Sequence, residues 1–300
     1  MNGRRKFIGN LAASASGVLL RNVAVPAAPA TFNLMKEVMR YRKLDAHVHI
    51  GLNKAGPEEN IEFAERLGIS RMFISKPITH GAATPAEFRA ANDMVLQTVR
   101  SRPTLFTGMC TLNPAWPKES LEEINRCVGE GMVGVKVYHQ VKINDPLFYP
   151  IIEKLIDLKM ILLMHSETTL GIAGYRMKYD KKIKPNASLP EDFAEVAKRY
   201  PEALFQFAHT GGGPDWEYGC KVLKDSPNVY VDVSGSNNEN NMVAFAIRCL
   251  GIHRVLFGSD NMYYQSVGKI IDADITEEQK QKIFFDNYNS ILKRGGYHVD

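Results

Sequence analysis

The chain has 300 residues, 45% of them apolar, which is enough for one large core, and 37 Lys and Arg stand against 33 Asp and Glu. Four of those bases, Arg4, Arg5, Lys6 and Arg21, lie in residues 1–30, which hold no acid, so the rest of the chain balances at 33 against 33. The net charge of +4 therefore gives no case for a nucleic-acid partner. The four cysteines, Cys110, Cys127, Cys220 and Cys249, are widely spaced with no CxxC pair, and nothing in them suggests a disulfide scaffold.

In chain order, the first element is "MNGRRKFIGNLAASASGVLLRNVAVPAAPA". Its basic start, weakly apolar middle and small-residue end with a cut after Ala30 read as an export signal, and Arg4-Arg5 followed by Phe7 resembles the twin-arginine type. The expectation is a signal over residues 1–30, a mature chain over 31–300 and a periplasmic location. Beyond the signal no segment approaches membrane-spanning length.

From residue 44 onward short runs rich in Val, Ile, Leu and Phe alternate with amphipathic stretches of helical period. The runs are "LDAHVHI" (44–50), "ISRMFIS" (69–75), "LFTGMCTL" (105–112), "MVGVKVY" (132–138), "MILLMHS" (160–166), "ALFQFAHT" (203–210), "NVYVDVS" (228–234) and "HRVLFGSD" (253–260). Helices are expected between them, over 57–67, 84–101, 117–129, 146–158, 190–200, 214–225 and 239–250. Eight strands with intervening helices predict a single-domain (β/α)8 barrel. The rival is a doubly wound open sheet, but the turn after the first run, "IGLNKAGPEEN", is no glycine-rich phosphate loop.

A barrel puts its reacting groups at the C-terminal ends of its strands. Those ends carry His47 and His49, then Lys136, His165, His209 and Asp260. Side chains alternate along a strand, so Asp45, His47 and His49 share one face. Each residue alone has a plainer role: packed imidazoles at His47 and His49, core histidines at His165 and His209, a helix cap at Asp260, a salt-bridged Lys136, and backbone support from Asp232. Together they match the nitrogen and oxygen donors of a catalytic zinc site.

The motifs "DAHVHI", "GVKVY", "LLMHSE", "FAHTGGG" and "VLFGSD", with a closing "NYNSILK", resemble the amidohydrolase superfamily across residues 43–294. Within it the resemblance is to the group of aminocarboxymuconate-semialdehyde decarboxylase and related lactonases. It implies that His47, His49, His165 and Asp260 hold one divalent ion, zinc, with His209 or Asp260 passing the proton and Asp45 orienting a histidine. Other members of the superfamily carry a carbamylated lysine between two metals, which keeps Lys136 open as a second-metal or substrate residue.

Three functions follow from that resemblance. Hydrolysis of an ester, lactone or amide leads, because the mature chain is compact, is expected to be exported and shows few arginines for a substrate carboxylate near the first strand, which offers only Lys54. Nonoxidative decarboxylation of an unsaturated or aromatic acid is the alternative, and a noncatalytic ligand-binding barrel is third. The connection after His165 carries Arg176, Lys178, Lys181, Lys182 and Lys184 against Glu167 and Asp180, which suits a small anionic substrate; a merely solvated loop is the other reading. Tyr138, His139, Tyr175, Arg176, Tyr263 and Tyr264 are further candidates for the pocket, with His80 also just past a strand end. Many members of the family associate as dimers, so the resemblance leaves a homodimer as an expectation, and no sequence feature marks the interface.

Overall fold

The computed structural model describes residues 33–51, 56–166, 185–210, 216–237, 239 and 241–300. The chain divides into two units, Met1–Leu34 and Met35–Asp300, and the second holds the barrel. The export signal with its cut at Ala30, Lys54, and the cationic connection with Tyr175 and Arg176 lie outside the described residues.

After a short helix, α1 (Leu34–Met39), the strands are β1 (Lys43–His49), β2 (Ile69–Ser75), β3 (Phe106–Gly108), β4 (Cys110–Thr111), β5 (Gly134–Val137), β6 (Ile161–Met164), β7 (Leu204–Phe207), β8 (Val229–Asp232) and β9 (Val255–Leu256). All pair in parallel, in the orders β1-β2-β3 and β4-β5-β6-β7-β8-β9. The expected run 105–112 is interrupted at Met109, so β3 and β4 are two pieces of one barrel stave. The bonds Met109 N–H to Ile74 C=O at 2.8 Å and Val133 N–H to Gly108 C=O at 3.1 Å carry the ladder across that gap. At the other seam, Ala46 N–H donates to Phe257 C=O at 3.0 Å and Asp260 N–H to His47 C=O at 2.7 Å. The last stave is thereby joined to the first, which excludes the open doubly wound sheet and makes the fold a (β/α)8 barrel.

The helices follow the sequence pattern closely: α2 (Pro57–Leu67), α3 (Pro85–Ser101), α4 (Pro117–Gly129), α5 (Tyr149–Leu158), α6 (Pro190–Arg199), α7 (Trp216–Val222) and α8 (Met242–Leu250). Proline opens α2, α3, α4 and α6, where its missing N–H would have no helical partner anyway. Thr84 adds a capping box with Glu87 at the start of α3. Three helices close the chain, α9 (Tyr263–Asp272), α10 (Glu277–Gln281) and α11 (Asn287–Arg294). No helix among the described residues is long and apolar enough to cross a membrane.

Side-chain alternation then sorts the core into two layers. Leu162, Met164, Phe205, Phe207, Val229, Val231, Val255 and Phe257 join the large cluster between strands and helices. Ile161, Leu163, Leu204, Tyr230 and Leu256 face inward and pack with Tyr288, Ile291 and Leu292 of α11, which stops the N-terminal end of the barrel. Continuing two residues along each inward column replaces these apolar groups with His165, Gln206, Asp232 and Gly258. The barrel interior is oily below and polar above, and the polar end is where chemistry can occur.

Candidate metal centre

His47 and His49 sit on β1, and both are almost wholly buried. Nδ1 of His47 lies 3.1 Å from Asp232 Oδ2, while Nδ1 of His49 lies 2.9 Å from Ser75 Oγ. The carboxylate fixes the His47 proton on Nδ1, leaving Nε2 as the lone-pair nitrogen. That Nε2 is 3.2 Å from Nε2 of His49, and Asp260 Oδ1 stands 3.5 Å from the first and 3.1 Å from the second.

Three electron-pair donors thus converge on one spot. The donors of hydrogen beside them are Lys136 Nζ, 3.0 Å from His47 Nε2, and Tyr138 Oη, 3.1 Å from His49 Nε2. Burial pushes His49 down to about 4, so its imidazole is neutral at pH 7. Burial alone would raise the Asp260 carboxyl, but His47 and His49 hold it well below the carboxylate range. A neutral His49 imidazole and the Nε2 lone pair of His47 beside an ionised carboxylate are the chemistry a divalent cation requires, and the donor set fits one.

Asp232 ties the remaining histidine into the same network. Its Oδ2 also accepts from Gln206 Nε2 at 2.9 Å; Oδ1 accepts from the backbone of His209 and Ser234 at 3.1 Å each and from Ser234 Oγ at 2.5 Å. Ser234 Oγ, having given its proton to Asp232, accepts from His209 Nδ1 at 3.0 Å, which leaves His209 Nε2 facing His165 Nδ1 at 2.9 Å. Burial would raise Asp232, yet His47 and these bonds hold it well below its ordinary range. His209 Nδ1 is 3.7 Å from Asp260 Oδ2, and His47, His209 and Asp260 can each bring one donor atom within 4.8 Å of the others.

The backbone is shaped to allow this. His209, Asp260 and Asn261 adopt left-handed φ values of 66°, 49° and 64°, uncommon for residues other than glycine and concentrated here where β7 and β9 end. At Gly258 an added Cβ would stand 2.9 Å from His47 Cβ and 3.0 Å from Asp232 Cβ, so only glycine lets these strands approach.

Of the residues expected from sequence, His47, His49, Lys136, Tyr138, His165, His209 and Asp260 meet at this end of the barrel. His139 joins them by ring packing, 5.5 Å from His165. Asp45 does not orient a ring: its Oδ1 accepts from His47 N–H at 3.2 Å and Ser259 N–H at 2.8 Å, because its short side chain reaches backbone first. The ring is oriented by Asp232, for which the sequence suggests only backbone support; an acid inside "VYVDV" is the available signal. Tyr263 is buried against Phe63, with ring centroids 4.7 Å apart, and its hydroxyl accepts from Asn60. His80 is exposed beside Glu87. Ser75, Ser234 and Asn261 carried no sequence signal.

Comparison with known proteins agrees with this architecture. A relative in Dictyostelium discoideum, 2-amino-3-carboxymuconate-6-semialdehyde decarboxylase, is 23% identical over 216 residues, covering 63% of this chain and 60% of its own length. Dihydroxybenzoic acid decarboxylase from Polaromonas sp. JS666, solved with bound manganese and 2-nitroresorcinol, superposes with a TM-score of 0.65 at 18% identity over 84% of this chain and 96% of its own. The 4-oxalomesaconate hydratase of Rhodopseudomonas palustris gives a TM-score of 0.63 at 16% identity over 84% and 96%. At such identities the two structures show the barrel fold alone. The sequence pattern of the amidohydrolase family matches residues 44–287, from the first strand into the closing helix, and the chain belongs to that metal-dependent family of enzymes.

Proposed function

We propose that this chain is a nonoxidative, metal-dependent decarboxylase of an unsaturated or aromatic acid, with His47, His49, His165 and Asp260 holding one divalent ion. Zinc suits the donor set, and manganese, present in the Polaromonas structure, is the second ion to test. The observation that carries the reading is the charge balance of the centre. Asp232 and Asp260 supply two negative charges, and Lys136, fully buried and pulled by burial down to about 8, supplies one positive charge at neutral pH. With a divalent ion the centre becomes net positive and attracts a carboxylate. Lys136 offers a substrate carboxylate a cation besides Lys54, which weakens the case for hydrolysis drawn from the scarcity of arginines near the first strand. The names of the Dictyostelium and Polaromonas proteins point the same way.

When bound, the ion supplies electrophilic polarisation of substrate oxygens. The protein has to place the substrate and deliver one proton to the carbon that loses CO2. His209 is built to handle that proton at Nε2, because Nδ1 is committed to Ser234. Once the carbon is protonated the bond to the carboxylate breaks and CO2 leaves, while Asp232 acting through Ser234 steadies the imidazole in either protonation state. Export to the periplasm, suggested by residues 1–30, is part of the proposal and is checked by locating the full-length chain in cell fractions.

The test supplies zinc- or manganese-loaded protein with hydroxybenzoates and unsaturated dicarboxylic acids, alongside a panel of lactones and esters. Release of CO2 with the decarboxylated product supports the reading. Lactone or ester cleavage without CO2 release would return the chain to the hydrolases.

A further inference from the structure

Asn261 follows Asp260 in the loop after β9, and its side chain takes over where the strand ladder ends. Its Oδ1 accepts from the His49 N–H at 2.7 Å and its Nδ2 donates to the His49 C=O at 2.8 Å. One residue earlier the bond from Asp260 N–H to His47 C=O is a backbone one. The seam between β9 and β1 therefore begins with ordinary backbone pairing at Phe257 and Ala46, and it is finished by an amide side chain that imitates a peptide group. The backbone of β1 cannot continue the pairing itself, because it turns away at Gly51, where φ is 63°. Asn60 Nδ2 makes a longer bond of 3.3 Å to the same carbonyl.

We propose that Asn261 is a positioning residue of the metal centre, tying the backbone of His49 to the loop that carries Asp260 so that both donors reach the ion as one unit. The idea rests on the reading of His49 and Asp260 as metal ligands. Ser75 fixes the His49 ring through Nδ1, and Asn261 fixes the peptide from which that ring hangs. The gap of 3.1 Å between His49 Nε2 and Asp260 Oδ1 is then set by a closed circuit of hydrogen bonds. Partners of this kind, one step removed from an ion, change metal affinity by roughly 10- to 100-fold when lost.

Asparagine also tolerates left-handed backbone, and its φ of 64° offers a competing reason for its presence. Asn261→Gly separates the two. Glycine accepts that backbone with less strain but lacks the amide, so a residue needed only for the turn would be replaced without loss. Metal-free full-length chain is titrated with Zn2+ against a chromophoric chelator, for wild type, Asn261→Gly and His49→Ala, with the metal-free melting temperature of each. The expected result is zinc affinity weakened roughly tenfold or more in Asn261→Gly, titrated at a temperature where its melting curve shows the metal-free chain folded. Affinity within twofold of wild type, while His49→Ala loses zinc, would overturn the proposal and leave Asn261 as a turn residue. Unchanged zinc binding in His49→Ala would instead overturn the ligand assignment beneath it. Should the glycine variant not fold, Asn261→Ser, whose hydroxyl cannot span both backbone groups, is read against the same threshold.

Discussion

Nδ1 of His47 and Oδ2 of Asp232 are 3.1 Å apart, and neither side chain has any exposed surface. Asp232 is the hub of the centre, since the same carboxylate receives Gln206, Ser234 and the His209 backbone. Asp232→Asn keeps the shape but replaces one acceptor oxygen with a donor amide, so some of these buried donors lose their partner. The expected outcome is at least a tenfold weakening of metal binding together with a lower melting temperature. Metal content after dialysis against a mild chelator, compared with wild type, checks it.

His209 and His49 lie near the same spot but should fail differently. His209→Asn removes the proton carrier while His47, His49 and Asp260 keep their mutual distances. Turnover should fall by about 10²- to 10⁴-fold with metal content retained. His49→Ala should lose the metal and with it all activity. Elemental analysis run beside turnover on the two variants decides the assignment, and metal loss in His209→Asn would make that imidazole a ligand as well.

The barrel was legible because its physics is local. The short apolar runs in "MILLMHS" and "ALFQFAHT" mark strands buried on both faces, whose alternate residues join two cores, and the amphipathic stretches between such runs mark the helices. The chemistry-bearing residues were legible for the same reason: a polar residue closing an apolar strand has few places to go. What could not be read was pairing across the barrel. Asp232 meets His47 across 185 positions of sequence, and Asn261 meets His49 across 212. Neither contact leaves a periodic trace. The interruption at Met109 was equally hidden, because "LFTGMCTL" is as strand-like as its neighbours. Asp45 was misjudged because sharing a face with His47 does not say whether a short carboxylate reaches a ring or a peptide group.

Gly258 makes a sharper test of the close approach between β9 and its neighbours. An added Cβ would meet the Cβ atoms of His47 and Asp232 at 2.9 and 3.0 Å, and neither atom can swing aside as a flexible chain end would. Gly258→Ala should destabilise the fold by about 1 to 3 kcal/mol, the usual cost of overpacking. In a chain of this size that lowers the melting temperature by several degrees. Because the clash falls on the His47–Asp232 pair, metal affinity should drop as well, whereas Gly129→Ala, with open space around it, should leave metal affinity unchanged.

Two buried lysines and one half-buried one predict an unusual dependence of stability on pH. Burial pulls Lys43, Lys136 and Lys269 from 10.5 down to about 8. Above pH 8 the folded chain has given up these protons while the unfolded chain, near 10.5, still holds them. The unfolded state binds more protons, so stability rises with pH across that interval. Two sets of groups oppose the rise at higher pH. Cys110, held protonated by its hydrogen bond with Cys127 and by burial, and Cys220, pushed by burial up to about 12, cost stability once free thiols ionise near 9. Buried Tyr263 and Tyr288 do the same above about 10. The metal-free protein should therefore melt a few degrees higher at pH 9 than at pH 8. Lys43→Met should reduce that gain, since Lys43 Nζ donates to the carbonyls of Val38 and Tyr41, at 2.6 and 2.8 Å, and among the described residues no carboxylate pairs with it. A melting temperature that falls from pH 8 to pH 9 in the wild type would mean that these ammonium groups are not buried as charges.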